Sequence, residues 1–260
     1  MNILLTNDDG YDSKGIRLLQ KLLSKYGHVV IVAPNGPRSG KSVSLTLGEP
    51  LHLEEIEKDV YISNGTPVDC VSMGLCCFNI DFDLVISGCN NGLNISYDTM
   101  YSGTIGACLE ALIFRKSAIA FSAHHGDDLS LLEKHFDEIM EFIKKNDLLS
   151  SEYLLNINMP KDEVKGISLG NLYYRKDQKY FVKEEDGLYA YRYMQENFDE
   201  DKNSDCYQVE HGIVSIVPLN KHLFNPKIKE ELERKMKWWR AIFSFILKYL
   251  LTDELVKTNI

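Results

Sequence analysis

The fold is decided by the stretch Met-Asn-Ile-Leu-Leu-Thr-Asn-Asp-Asp-Gly, residues 1–10. Its apolar run predicts a strand over residues 2–6, which ends where the sequence becomes polar. This strand delivers two adjacent carboxylates, Asp8 and Asp9, to its carboxyl end. Open α/β sheets bind their ligands at the carboxyl ends of the strands, so the sequence predicts a ligand site here.

Two adjacent carboxylates favour a bound cation. At an effective dielectric constant of about 20, two unit charges about 4 Å apart repel by about 4 kcal/mol. Such a pair persists more readily when a cation lies between the two groups. Asp-Asp-Gly is also ordinary turn chemistry after a strand, so this loop alone leaves both interpretations open.

Charge and composition limit the possible partners. The 260 residues include 29 basic and 38 acidic side chains, which gives a net charge of −9. The chain is long enough for one large α/β domain or two small ones. Its sequence has no run of Lys or Arg interleaved with aromatic residues, which argues against nucleic-acid polymers as partners.

The cysteines and the first residues indicate a cytoplasmic protein. No CxxC pair is present, and apolar or loop contexts suit reduced thiols at all six cysteines: Cys70, Cys76, Cys77, Cys89, Cys108 and Cys206. The chain enters a strand at once, without the basic segment and long apolar region of a signal peptide. We therefore expect a cytoplasmic location and no membrane association.

Strand-like and helical patterns alternate through the first 160 residues. The predicted strands cover residues 2–6, 28–33, 84–87, 118–122 and 153–157. The predicted helices cover residues 18–23, a segment that begins with Thr66 as N-cap and Pro67, and residues 102–114 and 129–144. This order predicts an α/β fold with a mostly parallel sheet flanked by helices and right-handed crossovers.

The pattern changes after Pro160. Tyrosines and glycines in polar sequence predict an extended hairpin over residues 166–200, and residues 213–217 return as a strand. Residues 227–260 are predicted to be helical, with an apolar segment too short to span a membrane. We expect one domain over residues 1–260, in which the hairpin and the C-terminal helix serve oligomerisation. Packing of that helix on the protein's own core is the alternative.

Residues 36–42, Gly-Pro-Arg-Ser-Gly-Lys-Ser, look like a P-loop. A P-loop has four residues between its first glycine and Gly-Lys-Ser and continues into a helix, whereas only three separate Gly36 from Gly40. Residues 43–47 then alternate like a strand. We predict that this segment is not a P-loop and that Ser39 presents its hydroxyl toward the acidic pair.

Two further loops carry polar groups toward the same edge of the sheet. Asn90 and Asn94 follow the strand at residues 84–87, and amide oxygens are good ligands for hard cations. Ser102, Gly103 and Thr104 begin a helix, where hydroxyls, free N–H groups and the helix dipole suit a phosphate. In isolation, the first is an ordinary loop and the second is plain N-capping by Ser102.

Together these segments resemble the SurE family of survival proteins, which are metal-dependent 5'/3'-nucleotidases. The resemblance covers most of residues 1–125 and returns at about residues 204–219. It rests on motifs in the same order: Thr6–Gly10, Ala33–Pro34 with Arg38–Ser39, Gly65–Cys70, Ser87–Asn94 and Tyr101–Thr104.

The resemblance implies a Rossmann-like, mostly parallel sheet with an extended hairpin and a C-terminal helical tail. It implies one Mg²⁺ or Mn²⁺ per subunit, held by Asp8, Asp9, Ser39 and Asn90, with Asp8 and Asp9 catalytic. It places four residues on the phosphate side of the site: Asn94, Ser102, Gly103 and Thr104. Homodimers, often paired into tetramers through the hairpin and a swapped C-terminal segment, are also implied.

The chain departs from the family pattern at two places. Ser96 stands where the family commonly has glycine, and Ser204–Asp205 stands where a Thr-Asp pair is usual. If residue 96 has a positive φ, a serine is strained there by about 1 kcal/mol. These differences leave the metal ligands alone and concern the loop above the phosphate and the substrate preference.

The predicted activity is metal-dependent hydrolysis of nucleoside 5'-monophosphates, and of 3'-monophosphates. A hard cation would polarise a phosphoryl oxygen and lower the pKa of bound water. Asp8 or Asp9 would accept the proton of the attacking water, and His124 and His125 are candidate proton donors to the leaving alkoxide. The alternative is a non-catalytic protein whose loops bind a nucleotide or phosphate without hydrolysing it.

Two other phosphate chemistries disagree with the sequence. A phospho-acceptor signalling domain needs an aspartate at the end of a later strand, but residues 84–87 end in serine followed by glycine. An aspartate-nucleophile phosphatase needs Asp-x-Asp after its first strand, and Gly10 stands two residues after Asp8.

Overall fold

The computed structural model describes residues 1–126, 128–173, 178–194, 201–222, 224–238 and 242. The strands are β1 (Asn2–Thr6), β2 (His28–Pro34), β3 (Leu53–Glu57), β4 (Val60–Ser63), β5 (Leu84–Asn91), β6 (Ser117–Ala123), β7 (Tyr153–Asn158), β8 (Gly166–Leu169), β9 (Gln178–Glu185), β10 (Leu188–Met194) and β11 (Ile213–Asn220). The helices are α1 (Lys14–Leu23), α2 (Pro67–Cys77), α3 (Asp98–Tyr101), α4 (Gly103–Ile113), α5 (Ser130–Lys145), α6 (Asp205–Glu210) and α7 (226–238).

Strand β1 lies inside a large mixed sheet, in which the described strands follow the order β3-β4-β2-β1-β5-β6-β7-β11-β8. The six strands from β4 to β7 in this order pair in parallel. At the margins, β3 runs antiparallel to β4 and β11 runs antiparallel to β7. The carboxyl ends of β1 and β5 therefore meet at one edge, with Thr6 opposite Ser87.

The core has two layers, one on each face of this sheet. Ile3 and Leu5 of β1 pack with the apolar residues of α1 and α5 on one face. Leu4 points to the other face and packs with α2 and α4. Because alternate residues of β1 are buried on both sides, the strand reads as a continuous apolar run, as expected of a central parallel strand.

The beginning of α2 matches the sequence prediction. The Thr66 side chain accepts the N–H of Asp69, and the Asp69 carboxylate accepts the N–H of Thr66 at 2.8 Å, a complete capping box. Pro67 occupies the first turn, where the missing N–H costs nothing. The fold class is confirmed: a mostly parallel sheet flanked by helices.

Several elements differ from the sequence expectation. Residues 41–52 form neither helix nor strand, so the predicted alternation at residues 43–47 does not mark a strand. The apolar side chains that produced the alternation are exposed, which removes the burial that stabilises a strand: Val43 57%, Leu45 48% and Leu47 79%. The strands β3, β4 and β8 and the short helix α6 were not predicted.

The tyrosine-rich segment forms a hairpin of β9 and β10, separate from the large sheet. Tyr191 lies opposite Phe181 in its antiparallel register, while β8 belongs to the large sheet and pairs with β11. Residues 174–177 and 195–200 of the predicted hairpin lie outside the described residues.

The chain divides into two units, Met1–Lys221 and His222–Ile260. In the second unit α7 carries the exposed apolar side chains Ile228, Leu232 and Met236, spaced by four residues. Most of the predicted tail beyond residue 238 lies outside the described residues. Among the helices that are described, none has the length and apolarity needed to cross a membrane.

Candidate active site

The loop after β1 is held rigidly by Asn7. Its buried side chain donates to the Gly10 carbonyl and to Ser13 Oγ, each at 2.8 Å, and accepts the Gly10 N–H at 3.2 Å. Gly10 has φ +106°, a conformation that suits glycine. Because both ends of the turn are tied to one side chain, Asp8 and Asp9 are presented in a fixed geometry.

Asp8 is a buried carboxylate with 5% of its surface exposed. Thr104 Oγ1 donates to Asp8 Oδ1 at 2.7 Å. Burial raises the Asp8 pKa from 3.8 to about 6; the Thr104 hydrogen bond lowers it and the Asp9 charge raises it further. A buried anion next to a second anion is poorly compensated by one hydroxyl, so the site fits a cation.

Asp9 and Asn90 are brought together by the pairing of β1 with β5. The backbone N–H of Asn91 donates to Asp9 Oδ2 at 3.0 Å. Asn90 Nδ2 donates to the Gly92 carbonyl at 2.7 Å, which fixes the amide in an orientation where its oxygen could bind a metal. The predicted amide ligand thus lies at the same sheet edge as the two carboxylates.

Ser39 is held near this edge of the sheet by the hydrogen bonds of its neighbour Arg38. The Arg38 backbone N–H donates to the Asp8 carbonyl at 2.7 Å, and its guanidinium donates to the carbonyls of Gly65 and Asn64 at 3.4 and 3.2 Å. No helix follows Ser39 before α2, so the segment lacks the helix that a P-loop needs.

The loop after Ser39 is fastened from two sides. The Asp69 carboxylate accepts the N–H of Thr46 at 2.9 Å and its hydroxyl at 2.7 Å. The Ser42 carbonyl lies so close to Gly106 of α4 that an added Cβ would be 2.0 Å from it. Burial acts to raise the pKa of Asp69, but its bonds to Thr66 and Thr46 outweigh this effect, and the pKa lies below its usual value.

The start of α4 abuts Asp8. Ser102 is the N-cap and accepts the Ile105 N–H at 3.2 Å, while a Cβ on Gly103 would lie 3.0 Å from Asp8 Cβ. Thr104 is fully buried, and its hydroxyl is committed to Asp8. The helix start therefore positions the carboxylate, and Ser102 is the member of this group that faces the cavity.

Asn94 belongs to a buried amide network that sequence reasoning missed. Its N–H donates to Asn158 Oδ1 at 2.8 Å, and its side chain donates to Ser122 Oγ at 2.9 Å. Its carbonyl accepts from Asn156 Nδ2 at 2.8 Å and from Asn158 Nδ2 at 3.1 Å. The available signal was the pair of asparagines in the otherwise apolar β7, since buried polar groups need partners.

These residues surround one cavity of about 570 Å³. Six of the eight predicted site residues line it: Asp8, Asp9, Ser39, Asn90, Asn94 and Ser102. The other two, Gly103 and Thr104, lie behind Asp8. Among the described residues no group of three or more His, Cys, Asp or Glu has the arrangement of a metal site, so any cation here relies on neutral oxygens besides the two carboxylates.

The two histidines differ in position. His125 lines the cavity with the carboxylates, and a Cβ on Gly92 would lie 2.7 Å from its Cε1. Both histidines line a neighbouring cavity of about 460 Å³, and burial lowers the pKa of His124, which does not line the cavity of the carboxylates. Of the two candidate proton donors, His125 is the one at the site.

Ser96 has φ +54°, which bears out the expected strain at this position. Its N–H donates to Asp205 Oδ2 at 2.9 Å, and Asp205 Oδ1 accepts the N–H groups of Tyr173 and Cys206 at 3.1 and 2.9 Å. Burial raises the pKa of Asp205. Asp205 of the Ser204–Asp205 pair therefore ties the loop that carries Ser96 to α6.

Comparison with known proteins shows the family of this chain. The family model described as "Survival protein SurE" matches residues 3–179. The chain belongs to the SurE family. A 5'-nucleotidase SurE of Clostridium botulinum is 36% identical over 249 residues, covering 90% of this chain and 98% of the relative. Another, of Actinobacillus succinogenes, is 39% identical over 233 residues, covering 86% and 94%.

A solved structure, the SurE protein from Aquifex aeolicus, superposes on this chain with a TM-score of 0.77 at 34% identity. The match covers 91% of this chain and all of the other. The family membership and the SurE-like fold predicted from the sequence are thus confirmed.

Proposed function

We propose that this SurE-family protein is a divalent-metal-dependent nucleotidase, which hydrolyses nucleoside 5'-monophosphates and also 3'-monophosphates to nucleoside and phosphate. The enzyme class rests on relatives named 5'-nucleotidase SurE, which are phosphoric monoester hydrolases. The single observation that carries the proposal is the buried Asp8 beside Asp9, in a cavity that also contains Ser39 and Asn90.

Four residues would hold the cation: Asp8, Asp9, Ser39 and Asn90. They supply carboxylate, hydroxyl and amide oxygens, a donor set that favours Mg²⁺ or Mn²⁺. When bound, such a cation supplies Lewis acidity toward a phosphoryl oxygen and lowers the pKa of water. Thr104 and Gly103 position Asp8 for this task, because one donates to its carboxylate and the other packs against it.

The remaining groups bind the phosphate and move protons. Ser102 and Asn94 line the cavity, and their hydroxyl and amide groups would donate hydrogen bonds to the phosphate. The carboxylate pair accepts the proton of the attacking water. His125 donates a proton to the leaving oxygen, since its ring lies at the cavity and that of His124 does not.

Assembly and location follow as further parts of the proposal. The exposed Ile228, Leu232 and Met236 of α7 form an apolar row that supports a homodimer or homotetramer. All six cysteines belong to the described residues, and none of them forms a disulfide, as expected in a reducing cytoplasm.

Phosphate release from a panel of nucleoside monophosphates tests this function. We expect EDTA to abolish the release and Mg²⁺ or Mn²⁺ to restore it, while Zn²⁺-specific chelation has little effect. Full activity after exhaustive chelation contradicts the metal dependence. Tight nucleotide binding without any phosphate release favours the alternative, a non-catalytic binding protein.

A further inference from the structure

The mouth of the active-site cavity differs chemically from its floor. The floor is formed by buried polar groups, with exposed fractions of 5% for Asp8, 4% for Asn94 and 7% for Ser102. The mouth carries two half-exposed aromatic side chains, Tyr101 at 54% and Tyr191 at 48%. Both tyrosines line the same cavity as the carboxylates. The lining of the cavity therefore combines buried polar groups with half-exposed aromatic rings.

The two tyrosines come from elements far apart in the sequence. Tyr101 ends α3, immediately before the N-cap Ser102, and its carbonyl accepts the Ser42 N–H at 3.0 Å. Tyr191 lies on β10, where its ring meets that of Phe181 edge-on with centroids 5.6 Å apart. The Tyr191 ring thus packs against Phe181, and the backbone of Tyr101 is held by the loop at Ser42.

We propose that Tyr101 and Tyr191 bind the nucleobase of the substrate by stacking, an inference that rests on the proposed function. If the phosphate lies among the buried polar groups, the nucleoside must extend toward the half-exposed rings of Tyr101 and Tyr191, which line the same cavity. The volume of about 570 Å³ lies in the usual range of small-molecule sites, about 300–1,000 Å³. Aromatic rings stack on every base, because each base has a π face.

This mode of binding has a consequence for specificity. The strength of stacking depends on the area of the base and not on the pattern of its hydrogen-bonding edge. The enzyme should accept all common bases and prefer purines, whose faces are larger. Ribose 5-phosphate, which lacks the base, should bind more weakly than AMP.

Substitutions in the hairpin test the proposal with AMP and ribose 5-phosphate as substrates. In Tyr191→Ala we expect KM for AMP to rise about tenfold, the loss of one base–aromatic stack, with KM for ribose 5-phosphate unchanged. Tyr191→Phe keeps the ring and should behave as wild type. Tyr180→Ala is the matched control, since Tyr180 is also exposed but pairs with Arg192 on the opposite hairpin face.

Other outcomes would contradict the stacking proposal. Equal rises in KM for both substrates would show that Tyr191 only supports the hairpin, and unchanged KM for AMP would remove it from the site. Calorimetric binding of AMP with Mg²⁺ supplies a readout apart from turnover. If the wild type hydrolyses neither compound, the proposed nucleotidase function fails, and retained AMP affinity in Tyr191→Ala would overturn the stacking inference separately.

Discussion

Replacing Asp8 by asparagine should raise the stability of the metal-free protein while abolishing its activity. Ionising Asp8 in the folded chain costs more than in the unfolded chain, because its pKa is about 6 instead of 3.8. The difference multiplied by 2.303RT is about 3 kcal/mol. Asp8→Asn removes this cost. The value of about 3 kcal/mol is an upper one, because the asparagine amide carries N–H groups where the carboxylate had a second acceptor oxygen.

The pH dependence follows from the direction of the shift. Below pH 3.8, the pKa in the unfolded chain, Asp8 is protonated in both the folded and the unfolded state and costs no stability. As the pH rises from there through the folded pKa of about 6, the wild type loses stability. The advantage of Asp8→Asn without metal should therefore be fully present at pH 7.5 and shrink to about 1 kcal/mol at pH 4.5. For a chain of this size about 3 kcal/mol corresponds to a rise in Tm of about 6–12 °C.

Thermal unfolding followed by circular dichroism in EDTA measures this difference. Adding Mg²⁺ should raise the Tm of the wild type, since a ligand that binds only the folded state stabilises it, and should leave Asp8→Asn nearly unchanged. Asp12→Asn is the control, because Asp12 is an exposed carboxylate close by in the sequence. An Asp8→Asn protein that melts below the wild type in EDTA at pH 7.5 would refute the reasoning.

Three further predictions concern the neighbouring elements. Lys41→Ala should keep phosphatase activity within a few fold, and Ser39→Ala should lose far more, as steady-state rates will show; the reverse order would restore the P-loop interpretation. Ser96→Gly should raise the free energy of unfolding by less than about 1 kcal/mol in urea titrations, because relief of the positive φ is partly offset by a freer unfolded chain. Removal of residues 227–260 should shift the particle toward monomer in light scattering while retaining every proposed metal ligand; a full-length chain that is already monomeric at micromolar concentration would contradict the assembly.

Local patterns in the sequence were sufficient to predict the central strand and the start of α2. The strand at β1 is an apolar run that ends in Asn-Asp-Asp-Gly, and the capping box of α2 is contained within residues 66–69. Both depend on neighbours in the chain, so composition and spacing predict them. The placement of Asp8, Ser39 and Asn90 around one cavity follows from the parallel order of the strands and from the resemblance to the family.

Other features depend on contacts that no local pattern contains. The hydrogen bond from the Thr104 hydroxyl to Asp8, 96 residues earlier, is one such contact. Asn94 is held by Asn156 and Asn158, which lie 62 and 64 residues later in the chain. The alternation at residues 43–47 predicted a strand because it matched the period, although the apolar side chains of this loop are not buried.

The contacts of the Asp205 carboxylate affect the order in which parts of the protein fold. It accepts N–H groups from Ser96, Tyr173 and Cys206, and the first of these contacts spans 109 residues. Closing such a long loop is entropically costly until the intervening strands have assembled. The loop that carries Asn94 should therefore acquire its final shape only after the sheet, so that a nascent or refolding chain gains its helical signal before it gains turnover.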